Sequence, residues 1–178
     1  MTEIEQTLAD KRILIIDEDI SGSTFHRVRG FIDAVRTRDG SPDLIIKITC
    51  DGGVAQSGFW IYDLIKSYKG KTTGQVMGYA RSMAAIILQA CDHRQMSLHS
   101  YLKVHNIKTS EPVTVKDMLD KKKMQSIIKR VSALDRNKVD ILSARTGLSP
   151  KLIVKLLAED RDMDASEAKR LNFIDEII

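Results

Sequence analysis

The stretch DLIIKITCDGGVAQSGFWIYDLIKSY, residues 43–68, decides the fold. Its first seven residues, Asp43 to Thr49, are a β-rich run short enough for a covered strand. The run ends at Cys50-Asp51-Gly52-Gly53, and AQSGFWIYDLIKSY then reads as a helix. The same alternation flanks it on both sides. RILIID (12–17) is a strand, followed by STFHRVRGFIDAVRTRDG, where Phe25, Val28, Phe31, Ile32 and Val35 recur at helical spacing until Gly40-Ser41-Pro42. KTTGQVMGY (71–79) is a third strand, and it leads into the short apolar helix SMAAIILQA. Strand and helix alternating in this way predict βαβ units and a mostly parallel, covered sheet: an α/β fold.

Beyond the alternating part, RQMSLH and YLKVHNI are strand-like, and the polar stretch KTSEPV separates them from a long helical pattern. Met118, Met124, Ile127, Ile128, Val131 and Leu134 trace one stripe that continues through Val139 and Leu142 to Thr146-Gly147. A helix of about 30 residues is long for a small domain, so it is expected to project and meet another chain. Ser149-Pro150 starts the next helix, with serine as N-cap and proline in the first turn. Asp164 followed by Glu167 resembles a capped final helix, and FIDEII ends as a strand. No repeat or linker divides the chain, so residues 1–178 read as one domain.

The 178 residues are 43% hydrophobic and 29% charged, with a net charge of +4. That is the composition of a globular protein, not a disordered one. Basic residues are scattered except for Lys121-Lys122-Lys123, which reads as a solvated helix face. No arginine-rich arm, zinc-finger spacing or aromatic stacking motif points to nucleic acid. No apolar run nears the ~20 residues of a membrane span. The start MTEIEQTLADKR is polar and unlike a signal peptide, and Cys50 and Cys91 suggest a reducing compartment. A cytoplasmic location is expected.

Few residues advertise chemistry. Cys91, His93 and His99 fit no strong zinc spacing, and Asp17-Glu18-Asp19 reads as a solvated loop, so no metal is expected. Ser82 stands at a strand-to-helix junction, where unpaired N–H groups and the helix dipole favour developing negative charge. A capping serine occupies the same kind of place. Gly53 closes the neighbouring strand, and its N–H with that of Met83 could form a two-donor oxyanion hole. His105 ends a strand-like run, a rigid mount for a general base. Asp160 and Asp162 precede the last helix and taken alone read as a solvated acidic loop.

In order, these residues resemble the proteolytic subunits of the Clp protease, the ClpP family, within the crotonase-like fold. The family's Gly-Gln-Ala-Ala-Ser-Met-Gly corresponds to Gly78-Tyr79-Ala80-Arg81-Ser82-Met83-Ala84. Its Ser-Pro-Gly-Gly turn corresponds to Cys50-Asp51-Gly52-Gly53, and its Ile-His-Gln-Pro to Val104-His105-Asn106-Ile107. Its C-terminal motifs correspond to Arg145-Thr146-Gly147 and to the run from Asp160 to Ala168.

The resemblance implies a serine endopeptidase with Ser82 as nucleophile, His105 as base and Asp160 as the orienting acid, Asp162 ranking second. Gly53 and Met83 would supply the oxyanion N–H groups. No cofactor is implied. Substrates would be peptides or unfolded proteins. The long helix would be the family's handle, about 107–147, joining heptameric rings into a stacked tetradecamer. An inactive structural or regulatory subunit and a crotonase-fold acyl-CoA enzyme are the competing readings.

The chain also departs from the family. Arg81 replaces an alanine, Ala84 a glycine, and Asp51 the proline of the Gly-Gly turn. Arg81 is expected at the surface, unless it serves the oxyanion or acidic substrates. NIKTSEPVTVKD stands in place of the glycine-rich handle base. Lys47, Ser67 and Gln75 stand where the docking pocket for an AAA+ Clp ATPase would be apolar, which argues against that partner.

Overall fold

The computed structural model describes residues 3–108 and 113–178. In chain order the elements are α1 (Glu3–Asp10), β1 (Ile13–Ile16), α2 (Gly22–Asp39), β2 (Leu44–Cys50), α3 (Ala55–Lys66), β3 (Thr72–Arg81), α4 (Met83–Leu88), β4 (His93–Met96), β5 (Tyr101–Lys103), α5 (Val115–Leu119), α6 (Lys121–Thr146), α7 (Pro150–Glu159), β6 (Asp162–Asp164), α8 (Ala165–Arg170) and β7 (Glu176–Ile177). The strands β1-β2-β3-β4-β7 form a parallel sheet in that order. The expected α/β architecture is therefore present, and the 43–68 stretch is its central β2–α3 unit.

The buried faces follow the sequence pattern. Ile46 and Ile48 of β2, Val28, Ile32 and Val35 of α2, and all six residues of α4 are closed to solvent and share one core. Glycine lets the layers approach. A Cβ at Gly58 of α3 would fall 2.6 Å from Met83 Cε, and one at Gly74 of β3 would fall 2.7 Å from Leu88 Cδ1. Ser21 caps α2 through a reciprocal box with Thr24. Ser149 accepts the Leu152 N–H ahead of Pro150, and Asp164 accepts that of Glu167, as the sequence predicts.

The strand β3 does two jobs. Thr73 to Val76 pair with β4, whereas Tyr79 to Arg81 pair with β5. Between them the register against β2 slips: Ile48 faces Val76, but Cys50 faces Ala80. Gly78 takes φ 106°, its N–H donates to Ser100 Oγ at 2.8 Å, and Thr49 donates its hydroxyl to the Met77 carbonyl. This bulge hands the end of β3 from one neighbour to another. Antiparallel β6 extends the β5 edge, with Lys103 opposite Asp162.

Four local expectations change. The start, read only as polar, is the helix α1. The strand in YLKVHNI stops at Lys103, because β6 gives it only three partners; beyond, the Ile107 N–H donates to the Asp135 carboxylate at 2.8 Å. His105 thus lies two residues past the strand, not on it. The long helix breaks at Asp120, whose backbone is extended and whose carboxylate accepts the Lys122 and Lys123 N–H groups. α6 is 26 residues long, and its only fully buried residues are Lys138, Leu142 and Thr146, all in its last third. FIDEII contributes only the two residues of β7. The centre of the KTSEPV stretch lies outside the described residues. No described helix is long and apolar enough to cross a membrane.

Candidate active site

Ser82 sits between β3 and α4 with φ 53° and ψ −121°. A non-glycine residue held at positive φ costs about 1–3 kcal/mol and persists only where its surroundings enforce it. Here they do. The Ser82 N–H donates to the Lys103 carbonyl at 2.9 Å, and α4 behind it is wholly buried. The hydroxyl caps nothing, so the capping alternative is not realised.

The Gly-Gly turn is pressed against this bend. A Cβ at Gly52 would lie 2.7 Å from Ser82 Cβ, 2.8 Å from the Arg81 carbonyl oxygen and 3.0 Å from Met83 N. Gly53 bridges Ile20 in parallel fashion: Ile20 N–H donates to Gly52 O and Val54 N–H to Ile20 O, each at 2.7 Å. In that pattern the intervening Gly53 N–H faces the opposite way, away from Ile20. The N–H of Met83 opens α4, where a helix leaves its first donors unpaired.

Ser82, Met83, Gly53 and His105 line one cleft of about 660 Å³. Asp51, Val54, Ala55, Gln56, Ile107 and Lys108 line it as well, together with Arg130, Val131 and Leu134 of α6. Part of the apolar stripe on the long helix therefore faces the cleft. His105 is half-buried. Its Nδ1 lies 2.6 Å from the Asn106 carbonyl oxygen, which can only accept, so Nδ1 carries the proton and Nε2 keeps its lone pair. Burial, with the charges of Lys138 and Lys108, holds its pKa below the ordinary histidine value.

Asp160 does not reach His105 in this arrangement. It caps the C-terminus of α7 in the left-handed region, at φ 47°. Lys108 Nζ donates to Oδ2 at 2.8 Å, and Lys103 Nζ lies 2.9 Å from Oδ1. These lysines hold the carboxyl well below the usual carboxylate range. Oδ1 is itself buried, beside the Lys103 ammonium. Asp162, the second-ranked acid, is bound to Arg81.

The sequence-predicted residues thus fall into two groups: four share the cleft, and Asp160 is not among its lining but is bonded to Lys108, which is. Sequence reading missed the groups that hold them. Lys138, buried in α6, donates to the His105 carbonyl and lies 3.5 Å from Asp135 Oδ1. Asp135 and Lys138 are a local i,i+3 pair, but nothing in the spacing of Lys103, Lys108, Asp135 or Lys138 shows what they reach, because their contacts with Ile107, His105 and Asp160 are tertiary. Both cysteines are free and buried, and burial pushes the Cys91 thiol up to about 12. No described His, Cys, Asp and Glu side chains gather in threes where a metal could sit.

Comparison with known proteins gives this arrangement a context. The family model described as Clp protease matches residues 1–178. The chain is 24% identical over 177 residues to an ATP-dependent Clp protease proteolytic subunit of Oltmannsiellopsis viridis, covering 98% of this chain and 88% of that one. It is 27% identical over 178 residues to ATP-dependent Clp protease proteolytic subunit 1 of Chlamydia abortus, covering 98% and 90%. Among solved structures, a point mutant of ClpP1 from Listeria monocytogenes superposes with a TM-score of 0.83 at 22% identity, covering 98% of this chain and 95% of that one.

Proposed function

The chain belongs to the Clp protease family, and from that premise we propose that it is a serine endopeptidase working inside a ring-shaped oligomer. Ser82 is the nucleophile. His105 Nε2 takes its proton as Oγ attacks a peptide carbonyl, then returns it to the leaving amine. The N–H groups of Gly53 and Met83 receive the oxyanion. Water, activated by the same nitrogen, releases the acyl group.

The observation that carries this reading is the bend at Ser82. A serine at positive φ, with a hydroxyl that caps nothing, lines the same cleft as a histidine whose Nε2 is free. Asp160 supports the imidazolium once it exchanges a lysine for the His105 Nδ1 proton. The exposed outer half of α6, with α5 before it, is the handle through which rings stack.

One observation favours the inactive-subunit reading: the capture of Asp160 by two lysines. The deciding experiment is intact-mass detection of a fluorophosphonate adduct on wild type and on Ser82→Ala. Peptidase action requires one adduct on wild type and none on the variant. Folded wild type that takes no adduct makes the chain a structural subunit.

A further inference from the structure

We infer that Arg81 is a positioning residue of the proposed hydrolytic site, one guanidinium that ties together the three chain segments on which the site depends. The inference rests on the peptidase reading and extends it to a residue outside the triad.

Arg81 is the last residue of β3, directly before Ser82. Its Nε and Nη2 hold Asp162 Oδ1 and Oδ2 at 2.9 and 3.2 Å, a two-point grip on one carboxylate. Its Nη1 holds Asp51 Oδ1 at 3.0 Å. The guanidinium carbon lies 4.8 Å from the centre of the Tyr79 ring, which supports the planar group from one face. Three donors thus reach two carboxylates that are 30 and 81 residues away in sequence.

Each partner belongs to a different part of the site. Asp51 precedes Gly52 and Gly53, whose positive φ angles make the turn intrinsically soft. The Ile20 bridge fixes that turn on one side only. The Asp51 bond fixes it on the other, toward Ser82, and so sets where the Gly53 N–H sits. Asp162 starts β6 two residues after Asp160, so the grip on it limits how far the acid's own segment can move. In register, Arg81 pairs with Lys103 and Lys103 with Asp162, so the guanidinium reaches across β5 to hold the strand beyond it.

The two departures at the turn and the serine bend explain each other. Where the resemblance leads one to expect a proline, the chain has Asp51; where it leads one to expect an alanine, it has Arg81. An ion pair here does the stiffening that a proline ring would do. Only arginine has the planar fork for two partners at once; a lysine ammonium is a single point of charge. Isolated exposed pairs contribute little, but a shared, two-point grip with a stacked ring restricts geometry as well as adding energy.

The test compares wild type with Arg81→Gln, Arg81→Lys, Asp51→Asn and Asp162→Asn. Three readings are taken: fluorophosphonate labelling rate, kcat and KM on a fluorogenic peptide, and thermal midpoint. Arg81→Gln should lower labelling rate and kcat together by about 10- to 100-fold, with KM changed less than about threefold, because the defect lies in transition-state geometry. Arg81→Lys should recover only a small part of the loss. In the Asp51→Asn, Asp162→Asn background, Arg81→Gln should have little further effect. Raising salt should slow labelling of wild type more than that of Arg81→Gln. If Arg81→Gln does not fold, the two Asp variants and the salt series on wild type decide the matter by the same rate criterion. Labelling of Arg81→Gln at the wild-type rate overturns the inference alone, as does a loss that follows thermal midpoint with kcat per labelled site unchanged. Absence of labelling on folded wild type overturns the peptidase reading and this inference with it.

Discussion

The two halves of the candidate site are built from different materials. The half proposed to meet the carbonyl is made of backbone: the bend at Ser82, the N–H of Met83 at the mouth of a buried helix, and a Gly-Gly turn bridged to Ile20. The half proposed to move protons is made of polar side chains: His105 turned to its neighbour's carbonyl, and Asp160 shared by Lys103 and Lys108. Backbone geometry fixed by a core changes only if the fold changes. Ion pairs at a half-exposed rim exchange partners readily. The first half is preset and the second is adjustable.

That contrast can be attacked from both sides. The largest effect belongs to Ser82→Ala, which should cut peptide turnover by about a millionfold and leave the thermal midpoint nearly unchanged. Gly52→Ala comes next. The added methyl meets Ser82 Cβ and the Arg81 carbonyl below 3 Å, at a φ of +102° that alanine resists. Turnover should fall on the order of 100-fold or more, the scale of a lost oxyanion donor, with a lower midpoint as well. An alanine there with wild-type kinetics would show that the turn is not preset.

The adjustable half should respond in the opposite direction. Lys103→Gln with Lys108→Gln frees Asp160 for His105, and kcat/KM should rise about tenfold, equivalent to ~1.4 kcal/mol of added transition-state stabilisation. A fall would mean that the lysines align the acid instead of diverting it. The pH profile is a smaller, sharper test. Histidine serves as base only when unprotonated. Burial and nearby lysine charge hold the His105 pKa below its ordinary value, so the acid limb of kcat/KM should lie below that of a solvent-exposed histidine. Removing Lys108 takes away a charge that lowers this pKa, and a closer Asp160 raises it, so in the double lysine variant the limb should move to higher pH. Smallest is Lys138→Met, which retains the buried stem but leaves the His105 carbonyl without its donor. It should cost about 1–3 kcal/mol of stability, read from denaturant midpoints, with a few-fold loss of kcat.

The preset half was also the readable half. Strand, glycine pair and helix in residues 43–68, and strand, serine and apolar helix in 71–90, are local signals that name their own geometry. The caps at Ser149 and Asp164 were readable for the same reason. The end of β5 was not, because Lys103 stops pairing only where β6 runs out, and β6 comes from about 60 residues later. The break at Asp120 hid inside an unbroken apolar stripe, since one carboxylate turned inward to cap is invisible to periodicity. The capture of Asp160 was least visible of all. Lys103 and Lys108 lie more than 50 residues before it, and only folding decides that they reach the acid.

The long helix α6 carries one more consequence. Its buried residues, Lys138, Leu142 and Thr146, are all near its C-terminal end. At 1.5 Å per residue it extends about 39 Å, and the turns before Arg130 lie beyond both the core and the cleft. Short helices without tertiary support fray, so its amide protons should exchange with solvent along a gradient, fast near Lys123 and slow near Leu142. The helix is in effect a graduated scale. Anything that settles on its outer turns will register as slowed exchange at numbered positions, whether or not a single peptide bond is cut.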